Sequence, residues 1–325
     1  AYKLMGNWKP QSISFQELVL DERSGDQDSK PYPFYLAYAL EDELPALGSV
    51  DDWYAEHKWD GIRAQLIKRS GAIFIWTRGE ELVTDRYPEF ETICADIPDG
   101  TVFDGELLPM IDGKIGTFND LQKRIGRRTV SKALLKKVPV ILRAYDLLEV
   151  DGIDLRADAF MERRIKLEGV VQKVDNPLID ISPLVEFEEW TALENVRAKA
   201  RDMKSEGLML KRKDAPYRIG RKKGDWWKWK LDPMCIDAVL TYAMRGHGRR
   251  SNLFTDYTFA LWRETETGER ELVTFAKAYS GLTDKEFRAV DKFIKSNTIE
   301  RFGPVRSVVP ELVFEIGFEA IAPSS

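Results

Sequence analysis

A lysine that could act as a nucleophile stands at position 58, within the octet EHKWDGIR at residues 56–63. A free lysine amine is almost wholly protonated at neutral pH, and charged neighbours are one way to free its lone pair. Gly61 permits a tight turn that brings backbone close to a ligand, and Arg63 offers a planar fork for phosphate or ribose oxygens. The octet therefore indicates covalent chemistry at Lys58, although a strand and turn with solvated charges would contain the same residues.

Further segments downstream of the octet combine residues that could do chemistry. In chain order they are Thr77–Glu80 (TRGE), Phe103–Glu106 (FDGE), Ala144–Asp146 (AYD), Ser205–Lys211 (SEGLMLK) and Asp225–Lys230 (DWWKWK). In the last segment lysines alternate with tryptophans, so Lys228 and Lys230 would point to one face of a strand. Each segment also has a structural interpretation, because a Tyr-Asp pair often belongs to a core and a Glu-Gly pair often to a turn.

Short alternating runs predict the strands that must position these segments. We expect strands at residues 62–67, 72–77, 101–108 and 138–148, and helices at about 117–137, 157–173 and 188–205. The pattern is typical of an α+β domain built on antiparallel sheets with helices.

The pair Asp232-Pro233 marks a change of pattern. After it we expect strands at 235–243, 257–263, 271–279 and 311–319, and one helix at 283–297. Several short strands with one helix suit a small β-barrel of the OB-fold type. The chain is therefore divided into a polar linker at residues 1–30, a first domain at 31–231 and an OB-fold domain at 232–325.

Charge is unevenly distributed along the chain. The net charge of -5 over 325 residues argues against a protein that binds nucleic acid with its whole surface. Two basic stripes stand out: residues 121–137 carry seven Lys or Arg and no acid, and residues 201–230 carry eleven against four acids. Such stripes can bind a polyanion along one face, although the first could also be a solvated helix surface.

Two cysteines, Cys94 and Cys235, lack the spacing of a zinc site and fit a reducing compartment. No apolar run approaches the length of a membrane span, and the start of the chain lacks the pattern of a secretory signal. We therefore expect a cytoplasmic protein outside the membrane, and a monomer.

Taken together and in order, the segments resemble the motif series of the covalent nucleotidyltransferases, which comprise ATP-dependent DNA ligases, RNA ligases and mRNA capping enzymes. The resemblance runs from about Pro31 to the C-terminus and is strongest to bacterial ATP-dependent DNA ligases of the replicative-ligase-like type. Glu56, the run Tyr217–Lys230 and the segment Ala278–Asp284 (AYSGLTD) add ligase-like detail. The resemblance implies a nucleotidyltransferase (adenylation) domain at 31–231, followed by the OB-fold domain.

The resemblance also implies roles for the matching residues. Lys58 would attack the α-phosphate of ATP and hold AMP through a phosphoramide bond, with Asp60 as a supporting acid. Lys228 and Lys230 would neutralise the α-phosphate in the transition state. Glu56 would help to recognise adenine.

Other residues would complete the nucleotide site. Tyr145 would stack on adenine, and Arg63 and Arg78 would contact ribose and phosphate. His57 would also bind the nucleotide, Lys211 would serve the phosphate side, and Asp146 would be a further supporting acid. Glu106 and Glu206 would hold Mg²⁺ or Mn²⁺, since such ions bind through few carboxylates plus phosphate oxygens.

The implied partner is nicked double-stranded DNA. AMP would pass to the 5′-phosphate at the nick, and the neighbouring 3′-hydroxyl would expel it and seal the strand. Six basic residues would grip the DNA backbone: Lys123, Arg124, Arg127, Arg128, Arg249 and Arg250. A bacterial protein of this kind would act in DNA replication, repair or recombination, in association with the nucleoid.

The sequence departs from the family pattern at both ends. Replicative-type ligases carry a helical DNA-binding domain before the catalytic core, of which residues 1–30 would be a remnant and linker. After Ser325 the family would continue with an Arg-rich motif that reaches the pyrophosphate of ATP. Without those arginines we expect self-adenylation to suffer more than sealing.

Two alternatives remain open. An RNA ligase or a GTP-using capping enzyme shares the lysine motif, although Glu56 and the C-terminal half favour a DNA ligase. A non-catalytic module that only clamps nucleic acid is the second, and intact Lys58, Glu106 and Glu206 disfavour it.

Overall fold

The computed structural model describes residues 28–127, 129–248, 251–279 and 281–319, together with Gln11, Ser14 and Ile321. The chain divides into two compact units, the first ending at Leu231 and the second beginning at Asp232. Both units combine sheets with helices, so the α+β prediction is confirmed.

The strands of the first unit have two to eleven residues and are mostly antiparallel. They are β1 (Tyr35–Leu36), β2 (Tyr38–Ala39), β3 (Trp53–Trp59), β4 (Ile62–Arg69), β5 (Ala72–Thr77), β6 (Thr101–Ile111), β7 (Lys114–Ile115), β8 (Val140–Val150), β9 (Ile153–Asp154), β10 (Ile179–Ile181), β11 (Leu184–Val185), β12 (Ser205–Arg212), β13 (Gly220–Arg221) and β14 (Trp226–Lys230).

Helices connect these strands. The α-helices are α1 (Phe118–Ile125), α2 (Lys132–Lys137), α3 (Phe160–Val174) and α4 (Trp190–Ala198). Short 3-10 helices span Leu44–Leu47, Val50–Asp52, Thr84–Arg86, Pro88–Ile93 and Ala200–Met203.

Two larger sheets organise the first unit. One has the order β10-β8-β6-β4-β5, with β7 beside β6 and β9 beside β8, and the other has the order β11-β3-β12-β14-β2. Strands β1 and β13 form a separate parallel pair. Because β3 belongs to one large sheet and β4 to the other, the turn at Asp60-Gly61 passes between the two sheets.

Helix α3 covers the sheet that contains β8. Its Leu167, Val170 and Val174 are buried in one cluster with Phe103 and Leu142 of the strands. Each such buried side chain contributes about 1.5–3 kcal/mol relative to an exposed one. This packing fixes the sheet whose strands carry Glu106 and Tyr145.

The second unit forms one antiparallel sheet with a helix packed on it. Its elements are β15 (Met234–Arg245), β16 (Phe254–Glu264), β17 (Arg270–Ala278), α5 (Asp284–Ser296), β18 (Thr298–Phe302), β19 (Val305–Val308) and β20 (Val313–Phe318). The sheet order is β17-β16-β15-β19-β18, and β20 also pairs with β15. Phe287, Val290 and Ile294 of α5 recur at helical spacing and fill the core against Phe259.

Three details differ from the sequence-based expectations. The predicted helix at 117–137 is two helices, because α1 ends at its C-cap Gly126 and α2 begins only at Lys132. The β18–β19 hairpin was not predicted. The predicted linker at residues 1–30 lies mostly outside the described residues, and its last residues, Ser29 and Lys30, are buried in the first unit.

Candidate active site

One cavity of about 600 Å³ in the first unit gathers the residues predicted for catalysis, nucleotide and metal. Its volume falls within the range of roughly 300–1,000 Å³ that is usual for small-molecule sites. The predicted residues that line it are Glu56, His57, Lys58, Asp60, Arg63, Arg78, Glu106, Tyr145, Glu206, Lys211, Lys228 and Lys230. The fold therefore brings together positions that are spread over 175 residues of sequence.

Strands β3 and β12 place Lys58 beside Glu206. The two strands are antiparallel, with Leu208 opposite His57 and a bulge in β12 before it. The ammonium of Lys58 contacts Glu206 Oε2, and Lys230 Nζ lies 3.8 Å from the same oxygen. The Lys58 and Glu206 side chains are 25% and 26% exposed, so both can be reached from the cavity.

Two glycines allow the close strand contacts behind this arrangement. A Cβ on Gly61 would lie 2.4 Å from the carbonyl oxygen of Leu107, and one on Gly207 would lie 2.3 Å from that of Trp229. Gly207 also has φ +135°, which side-chain-bearing residues rarely adopt. Any larger residue at either position would move the strands that hold Lys58 and Glu206.

Positive charge is concentrated along one part of the cavity. Burial lowers the pKa of Lys228, and the charges of Arg221, Lys58, Lys230 and Arg78 lower it further. Cations that repel one another are stabilised by an anion, so this part of the cavity suits phosphate groups.

Glu106 lies on β6 opposite Arg63 of β4. Burial raises the pKa of Glu106 to about 8, even though Lys58 and Arg63 act to lower it. Because burial disfavours the ionised form of this carboxyl group, a cation bound beside it would stabilise that form. Glu106 and Glu206 face the same cavity, while the described residues contain no group of three or more His, Cys, Asp or Glu placed to hold a metal ion.

The guanidinium of Arg63 is largely engaged inside the protein. It donates to both carboxylate oxygens of Asp104, at 3.1 and 2.7 Å, and to the carbonyl of Tyr35 at 2.6 Å. It also donates to the Tyr217 hydroxyl at 3.3 Å. The predicted contact of Arg63 with ribose or phosphate stays a prediction, because most of its donors already have partners.

Lys211 lies with the residues predicted to hold adenine. Its Nζ is 2.6 Å from Glu56 Oε2 and sits over the rings of Tyr145, Phe160 and Trp226 at 4.3, 4.8 and 4.6 Å from their centroids. The predicted role of Lys211 on the phosphate side stays a prediction, although its ammonium is engaged by Glu56 and three aromatic rings. The sequence alone did not predict these contacts of Lys211. They depend on how β12 pairs with β3.

His57 lines the cavity, whereas Asp146 lies outside it. His57 lies 3.2 Å through Nδ1 from the Ser205 hydroxyl, and burial, with a contribution from Arg143, lowers its pKa. Asp146 was expected to support the chemistry, but it is fully buried in an ion pair with Arg163 at 2.8 Å and does not line the cavity. Asp146 is structural, and that expectation was wrong.

The residues predicted to grip DNA fall into three groups. Lys123 pairs with Asp120 at 2.7 Å and remains 48% exposed, and Arg127 is exposed. Arg124 is only 1% exposed, donates to both oxygens of Glu89, and also donates to the Arg86 and Val138 carbonyls. The DNA contact predicted for Arg124 is therefore wrong. Three predicted residues lie outside the described ones: Arg128, Arg249 and Arg250.

Several residues of the cavity had no predicted role, among them one arginine and one tryptophan. Arg221 and Trp226 both line the cavity. Both lie within the basic and aromatic run Tyr217–Lys230, whose composition was the available signal. Which members of that run face the cavity depends on how β13 and β14 pair.

The fold and the site define a nucleotidyltransferase domain followed by an OB-fold domain. The family model for the ATP dependent DNA ligase domain matches residues 36–230. The chain belongs to this family.

Named relatives agree with this assignment. The chain is 33% identical over 315 residues to a probable DNA ligase of Koribacter versatilis, covering 90% of this chain and 54% of that protein. It is 32% identical over 282 residues to a DNA ligase of Haloferax volcanii, covering 86% of this chain and 48% of that protein. The chain thus spans about half the length of these relatives.

A solved structure shows the same fold. The mycobacterial DNA ligase D complexed with ATP and MES superposes with a TM-score of 0.53 at 22% identity, covering 90% of each chain. This likeness confirms the predicted architecture of adenylation domain and OB-fold. Among the described residues no helix has the length and apolar character to cross a membrane.

Proposed function

We propose that this chain performs the chemical steps of ATP-dependent DNA ligation. The Lys58 amine forms a bond to the α-phosphorus of ATP, and the bond to the leaving pyrophosphate breaks. AMP then passes from Lys58 to the 5′-phosphate at a nick, and the 3′-hydroxyl displaces AMP as it forms the phosphodiester. One observation carries the proposal: Lys58 opens into a nucleotide-sized cavity with two glutamates and a cluster of cations.

The two ends of the cavity suit the two ends of a nucleotide. Tyr145 and Glu56 lie beside Lys211 in the cavity lining, and they would receive adenine. Lys228, Lys230 and the other cations lie near Lys58 and would stabilise charge on the α-phosphate. Several further residues would also contact the nucleotide or support the chemistry: His57, Asp60, Arg63 and Arg78.

A divalent cation fits the two glutamates. Mg²⁺ or Mn²⁺ would be held by Glu106 and Glu206 together with nucleotide phosphate oxygens, which is the usual way that Mg²⁺ binds in such sites. The ion would supply charge neutralisation at the phosphates. The raised pKa of Glu106 supports this role, because the ion would take the place of a proton.

Nicked double-stranded DNA is the proposed partner. Lys123 and Arg127 are exposed basic residues that can contact its phosphates; roles for Arg128, Arg249 and Arg250 remain predictions. The units that divide between Leu231 and Asp232 support an adenylation domain at 31–231 and an OB-fold domain at 232–325, after a linker at 1–30. We place the protein as a monomer in the bacterial cytoplasm, at the nucleoid, in DNA replication, repair or recombination.

Intact-mass spectrometry tests the covalent step. The chain incubated with ATP and Mg²⁺ should gain the mass of one AMP, and Lys58→Ala should gain none. Lys123→Ala, which changes an exposed lysine outside the cavity, should gain AMP like the wild type. Nicked DNA should then remove the adduct and become sealed. An unmodified wild-type chain contradicts the proposal, and an adduct formed from GTP or discharged only by nicked RNA would indicate an RNA ligase or a capping enzyme.

A further inference from the structure

The carboxylate of Glu56 is held between two cations at the adenine end of the cavity. Its Oε1 accepts a hydrogen bond from Arg164 Nη1 at 3.2 Å, and its Oε2 lies 2.6 Å from Lys211 Nζ. Glu56 and Lys211 are each only 2% exposed. An ionised carboxylate can only accept hydrogen bonds.

Glu56 Oε2 and Lys211 Nζ retain hydrogen-bonding capacity. Although they are in ion-pair contact, the two atoms are not aligned as a hydrogen bond, and both are buried without another hydrogen-bond partner among the described residues. Both residues line the cavity. Buried polar atoms left in this state cost free energy, and a ligand that both donates and accepts along one edge would satisfy them.

Arg164 does not line the cavity, and further hydrogen bonds besides the one to Glu56 hold its guanidinium in place. It lies on α3, where its Nη1 also donates to the Ser182 carbonyl at 2.8 Å and its Nε donates to Glu168 at 2.7 Å. The side chain is 7% exposed and does not line the cavity. Among the described hydrogen bonds of Arg164, the one that reaches a residue of the cavity lining is the bond to Glu56.

We infer that Arg164 is a positioning residue that sets the base selectivity of the cavity. By occupying Oε1, it directs Oε2 of Glu56 toward the ligand as an acceptor. A purine that carries an exocyclic amine at this edge can donate to that oxygen, whereas a purine with a carbonyl there meets a second acceptor. The inference rests on the proposed binding of ATP in this cavity.

Loss of the Arg164 guanidinium should relax this selectivity. Oε1 would lose its donor, and the carboxylate could turn both oxygens toward Lys211. The oxygen and ammonium that Glu56 and Lys211 present to the base would then no longer have one fixed orientation. We expect the ratio of affinities for AMP over GMP to fall about tenfold, the effect of losing one oriented hydrogen bond to a charged group.

Equilibrium binding of AMP and GMP by calorimetry tests the inference. All proteins would carry Lys58→Ala, so that no covalent bond can form. In that background Arg164→Met should lower the AMP/GMP ratio about tenfold, and Arg164→Lys, which keeps the charge but loses the fork, should lower it less. The matched control is Arg69→Met, because Arg69 is a partly buried arginine paired with Glu149 and neither residue lines the cavity. That control should leave the ratio unchanged.

Several outcomes would overturn the inference. One is an AMP/GMP affinity ratio in both Arg164 variants that equals that of the Lys58→Ala parent. Another is an equal fall of this ratio in Arg69→Met. The third is a parent protein that does not distinguish AMP from GMP. If Arg164→Met does not fold, Arg164→Lys decides alone, and a parental ratio there overturns the inference. The proposed function has a separate readout: a chain that binds AMP selectively but forms no adduct with ATP would contradict ligation while supporting the role of Arg164.

Discussion

Lys58 and Glu206 form an ion pair, so that the proposed nucleophile and a proposed metal ligand hold each other in the cavity. Lys230 lies 3.8 Å from the same carboxylate oxygen. A partly exposed ion pair of this kind is weak and easily exchanged. A divalent cation that binds Glu206 would compete with the lysine ammonium, which links metal binding to the release of Lys58 for attack.

The first prediction concerns Glu206. Glu206→Ala should slow formation of the AMP adduct by at least about tenfold, because metal-assisted charge neutralisation is lost. The fold should persist, since the side chain is partly exposed. Single-turnover adduct formation at increasing Mg²⁺ measures this. Glu300→Ala, an exposed glutamate in the second unit, is the control. An unchanged rate and Mg²⁺ dependence would remove Glu206 from the metal site.

The second prediction is a pH dependence of stability caused by Glu106. Its pKa is about 8 in the folded chain against an ordinary value of 4.5. Between these values the folded state holds a proton that the unfolded state has released, so the free energy of unfolding decreases as pH rises through this window. Glu106→Gln should remove that slope, making the variant more stable than the wild type by up to about 4–5 kcal/mol at high pH.

Urea unfolding of both proteins near pH 5 and pH 8.5 checks this, without nucleotide or metal. The difference between variant and wild type should grow with pH. A difference that is constant across the range, or that grows toward acid, would show that Glu106 titrates normally.

The third prediction concerns the turn between the two large sheets. Gly61→Ala should destabilise the first unit by about 1–3 kcal/mol, because the new Cβ would lie 2.4 Å from the Leu107 carbonyl oxygen. Adduct formation should fall by about 100-fold, since a small displacement of Lys58 disrupts its alignment. Gly126→Ala is the matched control, with no atom within 4 Å of its Cβ and an ordinary φ of -78°. Equal behaviour of the two variants would argue against a constrained turn.

The fourth prediction separates two neighbouring arginines. Arg124→Met should lower the free energy of unfolding by about 3 kcal/mol, because it leaves Glu89 without its buried partner. Arg127→Glu should leave stability nearly unchanged but weaken binding to nicked DNA and reduce its salt dependence. Thermal unfolding and DNA titrations at two salt concentrations distinguish the two effects. If Arg127→Glu changed only stability, the exposed part of this basic stripe would not bind DNA.

The sequence by itself determined the order of the chemistry-bearing segments and the strands that carry them. Local alternation indicated β4, β5, β6 and β8, because a strand with one buried face repeats every two residues. The motif series around Lys58 also identified residues that meet in the cavity, because their types and order match the motifs of one family.

Only the tertiary structure decided which charges face the cavity and which stabilise the protein. Arg124 and Arg127 belong to one basic stripe. Arg124 is buried in an ion pair with Glu89, which comes from a distant segment, whereas Arg127 is exposed. Lys211 forms a buried ion pair with Glu56 in the cavity lining, and Asp146 forms a buried ion pair with Arg163 outside it. The energy of a charged side chain depends on partners that are far away in sequence, and local patterns do not contain that information.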